Sequence, residues 1–337
     1  MNGNNNKELT MNKLTKIGVS ALCGSLAAIS AANAGGLTVA GGANATWTSL
    51  SYGETGNPLG MASGMTFTGT GELDNGSTVT INIAHDDKST YSASDISIAT
   101  PSMGTFKYDE GGGTGIDRFD DKMPTAWEET TGTGVGTGIQ TVSGVGGGTD
   151  IEWAVDGDML PDGLSAWISW SPEADGTKVN DKSVGGGDNG VGYGYDIVLE
   201  HSGLADGFNV FAGLTQIKSD FGNDQTVRAL GATYAVGSVT VGYQYTKDEL
   251  GRHAYDYYEN NAYGISFAVN DDLSLSYGSH ESERSTGPGD ANTTLETSSL
   301  QIAYSMGGMS IKAAMSDIEN QNYSTAAVAD YDVNTIA

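Results

Sequence analysis

Apolar and polar residues alternate along most of this chain with a period of two. Val239, Val241, Tyr243 and Tyr245 are interleaved with Thr240, Gly242, Gln244 and Thr246, and Leu273, Leu275 and Tyr277 with Ser274, Ser276 and Gly278. The same parity recurs in Val79, Ile81 and Ile83, in Ile265, Phe267 and Val269, in Leu300, Ile302, Tyr304 and Met306, and in Ile311, Ala313 and Met315. Successive side chains of an extended chain point to opposite faces, so each segment predicts a strand with one apolar face and one small or polar face. Beyond the first 34 residues there is no apolar run long enough for a membrane-spanning helix, and no long stripe of period 3.6.

The pattern predicts sixteen strands, over residues 37–48, 63–73, 76–85, 91–98, 103–108, 150–157, 163–171, 191–202, 207–217, 225–236, 238–246, 261–269, 272–279, 295–306, 309–316 and 328–337. Even-numbered strands run into the next through short turns such as Asp74-Asn75-Gly76, Gly237, Asn270-Asp271 and Gly307-Gly308, residues that suit sharp reversals. Odd-numbered strands are followed by longer polar segments, among them 49–62, 109–149, 172–190, 247–260 and 280–294. Tight turns at one end, long loops at the other and an even strand count are the signature of an all-β, sixteen-stranded antiparallel transmembrane β-barrel. Closure satisfies every backbone N–H and C=O in hydrocarbon, the condition for any β structure that crosses a membrane. Lipid on the apolar face also accounts for a hydrophobic content of 38%, against roughly 45% in ordinary globular domains.

The N-terminus predicts export. Lys13 and Lys16 precede an uncharged stretch, Ile17 to Ala32, and Ala32-Asn33-Ala34 has the small residues that signal peptidase reads. Met11 is the expected start, cleavage is expected after Ala34, and residues 35–337 form the barrel. Cutting there removes Lys7, Lys13, Lys16 and Glu8, leaving 12 basic against 41 acidic side chains and moving the net charge from −27 to −29. It also removes Cys23, the one cysteine, which excludes disulfides, thiolate metal sites and cysteine nucleophiles. So acidic a chain is no partner for nucleic acid, whose phosphates need Lys and Arg.

Three features resemble the sixteen-stranded general porins of Gram-negative bacteria, especially the acidic alphaproteobacterial type. They are Gly35-Gly36-Leu37-Thr38-Val39 after the leader, Met103-Gly104-Thr105-Phe106-Lys107-Tyr108 at the fifth strand, and the long acidic loop behind it. The resemblance covers essentially all of residues 35–337 and lies in pattern and order. It implies a passive channel for small hydrophilic solutes, three barrels per assembly, surroundings of outer-membrane lipid and lipopolysaccharide, and a third long loop, 109–149, folded into the lumen. That loop carries Asp109, Glu110, Asp117, Asp120, Asp121, Glu128 and Glu129 against Arg118 and Lys122, and these nine are the expected constriction. Gly111-Gly112-Gly113 and Gly146-Gly147-Gly148 give it freedom to bend.

Strand parity predicts the charges of the lumen wall: Glu72, Glu152, Asp156, Asp196 and Glu200, with Lys107 and Lys312 as the bases. A charge on the lipid face at mid-depth costs ~2–4 kcal/mol, so parity is a usable guide. Arg228 shares parity with Leu230 and Tyr234 and is placed outside. With acids ahead of bases on both loop and wall, the channel is expected to prefer cations. Trp47, Trp153, Trp170, Tyr243, Tyr245 and Tyr263 lie towards strand ends, where membrane barrels carry aromatic girdles.

No catalytic constellation is present. His85, His201, His253 and His280 are dispersed and no Gly-x-Ser-x-Gly occurs, so neither enzyme activity nor a cofactor is expected. The acidic pairs Asp120-Asp121 and Asp271-Asp272 offer oxygen ligands of the kind Ca²⁺ takes. A secreted acidic β-solenoid, as in adhesins or surface-layer proteins, is the alternative, but it calls for a fixed repeat that the sequence lacks. Proteins resembling this one end on an aromatic residue, whereas this chain ends Ile336-Ala337, so the closing strand is expected to lack several residues.

Overall fold

The computed structural model describes residues 36–52, 56–87, 92–110, 113–130, 136–174, 191–220, 222–251, 256–287 and 292–337. The leader, Gly111, Gly112, most of 172–190 and His253 therefore lie outside the described residues.

Sixteen strands follow one another around a single closed sheet. They are β1 (Gly36–Leu50), β2 (Leu59–Glu72), β3 (Thr78–Asp86), β4 (Ala93–Thr100), β5 (Gly104–Glu110), β6 (Thr149–Ala154), β7 (Leu164–Ser171) and β8 (Val191–Ala205), then β9 (Phe208–Ser219), β10 (Gln225–Val236), β11 (Val239–Glu249), β12 (Tyr257–Ala268), β13 (Leu273–Ser285), β14 (Thr293–Met306), β15 (Met309–Glu319) and β16 (Tyr331–Ile336). Every pairing is antiparallel between neighbours, and β16 closes the barrel against β1 from Trp47 opposite Ile336 to Leu50 opposite Val333. A β-solenoid is thereby excluded. At the tight turns the chain reverses in two residues, 237–238 and 307–308, with Gly237 and Gly307 in the left-handed region at φ 60° and 62°; a side chain there would be strained.

Several boundaries differ from the pattern; β13 runs on to Ser285 and β2 starts at Leu59. β6 stops at Ala154, and residues 155–163 form a longer turn that includes the 3₁₀ segment Gly157–Met159. β12 takes in Tyr257 and Tyr258, shortening the preceding loop, and β16 starts at Tyr331 because Ala327–Ala329 is a 3₁₀ turn. Alternation alone sees neither 3₁₀ turn: Gly157-Asp158-Met159 mixes small, charged and apolar residues, and Ala327-Val328-Ala329 is a short apolar run without a period.

Burial is inverted relative to a water-soluble protein. The outward face of the strands carries Leu59 and Met61 at 69% and 76% exposure, with Ile81, Ile96, Ile197, Leu230, Ile265, Leu300 and Ile311 continuing the exposed apolar surface around the barrel. The inward parity carries Thr68, Asn82, Asp196, Gln244, Ser276, Gln301 and Lys312. A soluble protein does not leave so continuous an apolar belt in water. Outward-facing charges gather instead at the long-loop rim: Arg228 pairs with Glu249 at 2.6 Å, and Glu281, Glu296 and Glu319 stand opposite one another across β13, β14 and β15. Trp47, Trp170, Tyr243 and Tyr263 are exposed on the same outer face, while Trp153 stacks on Phe106 with ring centroids 6.0 Å apart.

Candidate functional site

The described residues of the connection from β5 to β6, 113–130 and 136–148, called loop 3 below, lie against the inner wall of the barrel. Its first limb is pinned by carboxylates that project inward from β6 and β8. Asp150 accepts from the Thr114 hydroxyl at 2.8 Å, Glu152 from the Gly115 N–H at 2.7 Å, and Asp196 from the Ile116 N–H at 2.9 Å. The returning limb comes back to the same Asp196, which accepts from the Val145 N–H at 3.3 Å. Gly115 and Gly144 sit against this carboxylate with φ of 55° and 56°, and a Cβ on either would collide with it. Glycine is needed there for two reasons, the backbone angle and the space.

Apolar packing reinforces the anchor. Ile116 and Phe119, at the two ends of the short turn, are fully buried with Val142 of the returning limb against Val198, Phe211, Val227 and Ala229 of the wall. The Phe119 and Phe211 rings lie 4.7 Å apart, and burial of such a side chain contributes about 1.5–3 kcal/mol. Arg118 bonds Glu152, donates from Nε to the Gly115 carbonyl at 2.9 Å, and stacks 4.3 Å above the Trp167 ring.

From this anchor the loop follows the inner wall. Gln244 of β11 donates to the Phe119 carbonyl, the Ala126 N–H donates to Ser276 of β13, and Gln301 of β14 both accepts from the Trp127 and Glu128 N–H groups and donates to the Glu128 carbonyl. Lys312 of β15 lies 5.8 Å from the Trp127 ring. Inward residues under this arc are sealed: Asp196, Thr215, Ser276, Thr297, Gln301 and Lys312 are all buried. On the opposite arc the inward residues Thr38, Ala40, Gly42, Ala62, Thr70 and Glu72 are exposed, so the lumen is open along this side. That arc has no Lys or Arg among the described residues of its four strands. Its middle carries a hydrogen-bonded row, Thr68 to Asn82 at 2.7 Å and Asn82 to Asp95 at 3.0 Å.

The residues singled out from sequence divide accordingly. Asp117, Asp120, Asp121, Glu128 and Glu129 form one cluster with Asp121 as the shared neighbour, its charge acting on each of the other four. Lys122 bonds Glu200 at 2.6 Å, and Lys107 bonds Asp109 at 2.7 Å. Two assignments are corrected. Glu110 has the parity of the outward Tyr108 and meets Ser94 on the outer face of β4. Asp156 lies past the end of β6, where its carboxylate accepts from the Asp158 N–H and caps the 3₁₀ turn. Three more need a different account: Asp196 and Glu152 face inward but are covered by the loop they hold, and Lys312 is buried beside Trp127. Asp150 was within reach of parity with Glu152 but fell at a loop boundary. Among the described residues no group of three or more His, Asp or Glu is arranged to hold a metal ion, the acidic pairs Asp120-Asp121 and Asp271-Asp272 included.

Asp120 is exposed on the lumen side of loop 3, and Asp117, Glu128 and Glu129 are half-buried; the surrounding protein thins the solvent around these four carboxyl groups and raises them. Asp120 is pushed up to about 6, first by this desolvation and then by Asp121 and Asp117, against a hydrogen bond from Thr141. Asp117, Glu128 and Glu129 are raised for the same first reason, Glu129 also by Asp121 and Glu128. A carboxyl raised in the docked loop binds a proton there that the released loop does not. Docking is therefore favoured below the ordinary carboxylate range and weakens as pH rises through about 6, while the negative charge of the lumen grows over the same interval. The expected result is a cation preference that is small at pH 5 and larger at pH 7, read as the zero-current potential under a fixed salt gradient.

Comparison with solved structures agrees with this architecture. The chain is similar to OmpT, an outer membrane protein of Vibrio cholerae, with a TM-score of 0.66 and 12% identity over 92% of this chain and 98% of that one. It is similar to Salmonella typhi OmpF, solved with daunomycin, with a TM-score of 0.62 and 16% identity over 90% and 97%. A mutant of Rh. blastica porin gives a TM-score of 0.57 and 14% identity over 89% and 98%. The fold is thus that of the general porins, a closed sixteen-stranded barrel. The Vibrio, Salmonella and Rh. blastica barrels all match, so the likeness is one of fold and does not distinguish the acidic alphaproteobacterial type. No protein-family model matches the chain, and no curated protein sequence matches it.

Proposed function

We propose that this chain is an outer-membrane porin, a passive, water-filled and cation-preferring channel for small hydrophilic solutes, without covalent chemistry. The observation that carries the proposal is the asymmetry of the lumen. Loop 3 seals the inward residues of β6–β15, while those of β1–β4 stay open to water behind an apolar outer belt. A solute passing along β1–β4 meets hydroxyl, amide and carboxylate groups on the wall and the cluster around Asp121 on the loop. The sign of the field follows from pairing: Arg118, Lys122 and Lys107 each bond a carboxylate, and Lys312 is buried beside Glu128, so the cluster is left in excess. Anionic walls of low dielectric concentrate cations. Outer-membrane lipid and lipopolysaccharide are the surroundings in this reading, the leader directs export, and three copies per assembly is the proposed oligomer. Reconstitution of purified protein in a planar bilayer tests it: stepwise current increments are expected, and their absence at membrane concentrations that insert folded barrels contradicts it.

A further inference from the structure

We propose that Tyr323, in the loop between β15 and β16, is a positioning residue that sets the width of the pore by clamping the returning limb of loop 3. The backbone marks the place. Asn320, Asn322 and Tyr323 all lie in the left-handed region, at φ of 57°, 55° and 57°; Asn tolerates this conformation, but a Tyr avoids it and keeps it only where surrounding contacts impose it. Here the contacts are with loop 3. The Asn322 N–H donates to the Thr137 carbonyl at 2.9 Å, the Gln321 amide donates to the Gly136 carbonyl at 2.7 Å, and the Gln140 N–H donates to the Tyr323 hydroxyl at 3.1 Å. Gly138 has φ 81°, and a Cβ there would run into the Asn322 side chain, so the two loops interlock.

The wall holds the other side of the clamp. The Tyr323 hydroxyl shares a 2.7 Å hydrogen bond with Ser282 of β13, its ring lies 5.3 Å from that of Tyr258 of β12, and the Arg284 guanidinium sits 5.0 Å from the ring centre. Tyr323 is 6% exposed. One phenol therefore ties three elements, β12–β13, the last loop and loop 3, at the end of the loop opposite the Asp196 anchor. With the phenol removed, the returning limb keeps its bonds to Asn322, Gln321, Asn260 and Asp196 but loses the Gln140 contact and the link through Ser282 to β13, and the sealed arc is free to widen or fluctuate.

The inference rests on the channel reading, and the experiment separates them. Wild type, Tyr323→Phe and Tyr323→Ala are compared in planar bilayers for single-channel conductance and for the size of neutral polymer that blocks them. Heat-modifiable gel migration serves as the check that each barrel is closed. Conductance and polymer cut-off are expected to rise in Tyr323→Ala, and by less in Tyr323→Phe, which keeps the ring and loses both hydroxyl bonds. A Thr137→Cys/Asn322→Cys pair in the Tyr323→Ala, Cys23→Ser background is then oxidised. The disulfide is expected to restore wild-type conductance, and reduction to reverse it. Equal conductance in wild type and both Tyr323 variants, or a disulfide that restores nothing, overturns the clamp while leaving the channel intact. Should Tyr323→Ala not close its barrel, an unchanged Tyr323→Phe channel overturns the clamp by itself. A wild-type barrel that carries no current overturns the channel reading and the clamp with it.

Discussion

Replacing Asp196 by Ala is expected to release loop 3 from the wall and turn a steady channel into a wider, noisier one. The Asp196 carboxylate is fully buried and accepts from the Ile116 and Val145 N–H groups, one on each limb of the loop. Alanine leaves both donors without a partner in a site closed to water. Each such group costs about 1–3 kcal/mol, so the docked state loses about 2–6 kcal/mol, and every 1.4 kcal/mol is a tenfold change in the docked population. The strands themselves lose nothing, because Asp196 gives its side chain to the loop and its backbone to β7 and β9. Single-channel conductance and current noise are expected to rise together while heat-modifiable migration stays that of a closed barrel. Asp196→Asn, which keeps one acceptor oxygen, is expected to fall between. An Asp196→Ala channel with wild-type conductance and noise contradicts the anchor.

The second large effect concerns charge. Changing Asp117, Asp120, Asp121, Glu128 and Glu129 to Asn or Gln removes the cluster around Asp121 while retaining an acceptor oxygen at each position, so the Gly113 N–H that bonds Asp117 keeps its partner. Fixed charge in a narrow lumen raises potentials of several kT, and a potential of only about one kT gives a cation-to-anion ratio of about seven. Of the variant's remaining lumen carboxylates, Asp109, Glu152 and Glu200 are matched by Lys107, Arg118 and Lys122, while Glu72 and Asp95 of the open arc are left, so its ratio is expected to fall but to stay above unity. Screening acts over about 8 Å at physiological ionic strength, and the difference between the two proteins is expected to shrink as salt rises.

Much of the barrel was legible in the sequence for one physical reason: lipid on one face and water on the other impose a period of two on every strand. That rule placed Leu300 and Ile302 outside, Gln301 and Lys312 inside, and Arg228 at the outer rim beside Glu249. It failed where the period stops. Asp156 was read as wall because the sequence around Val155 continues the alternation, whereas the chain has already turned and uses the carboxylate as a cap. The pattern ends the fifth strand at Tyr108 and gives Glu110 to the loop, whereas β5 runs two residues further. What parity never reports is what covers an inward side chain. Parity makes Glu152 and Asp196 charges facing solutes, whereas they accept from backbone N–H groups of loop 3; it makes Lys312 a lumen base, whereas the side chain is buried beside Trp127. The Tyr323 clamp had no sequence signal at all, since it depends on two loops far apart in the chain meeting inside the barrel.

The central claim, that this barrel is an open cation-preferring pore, is tested most directly by wild-type protein in a planar bilayer under a KCl gradient at pH 7. The expected record shows discrete current steps and a zero-current potential of the sign that reports K⁺ passing ahead of Cl⁻. A membrane that stays silent with folded protein present, or a zero-current potential of the opposite sign, contradicts the account.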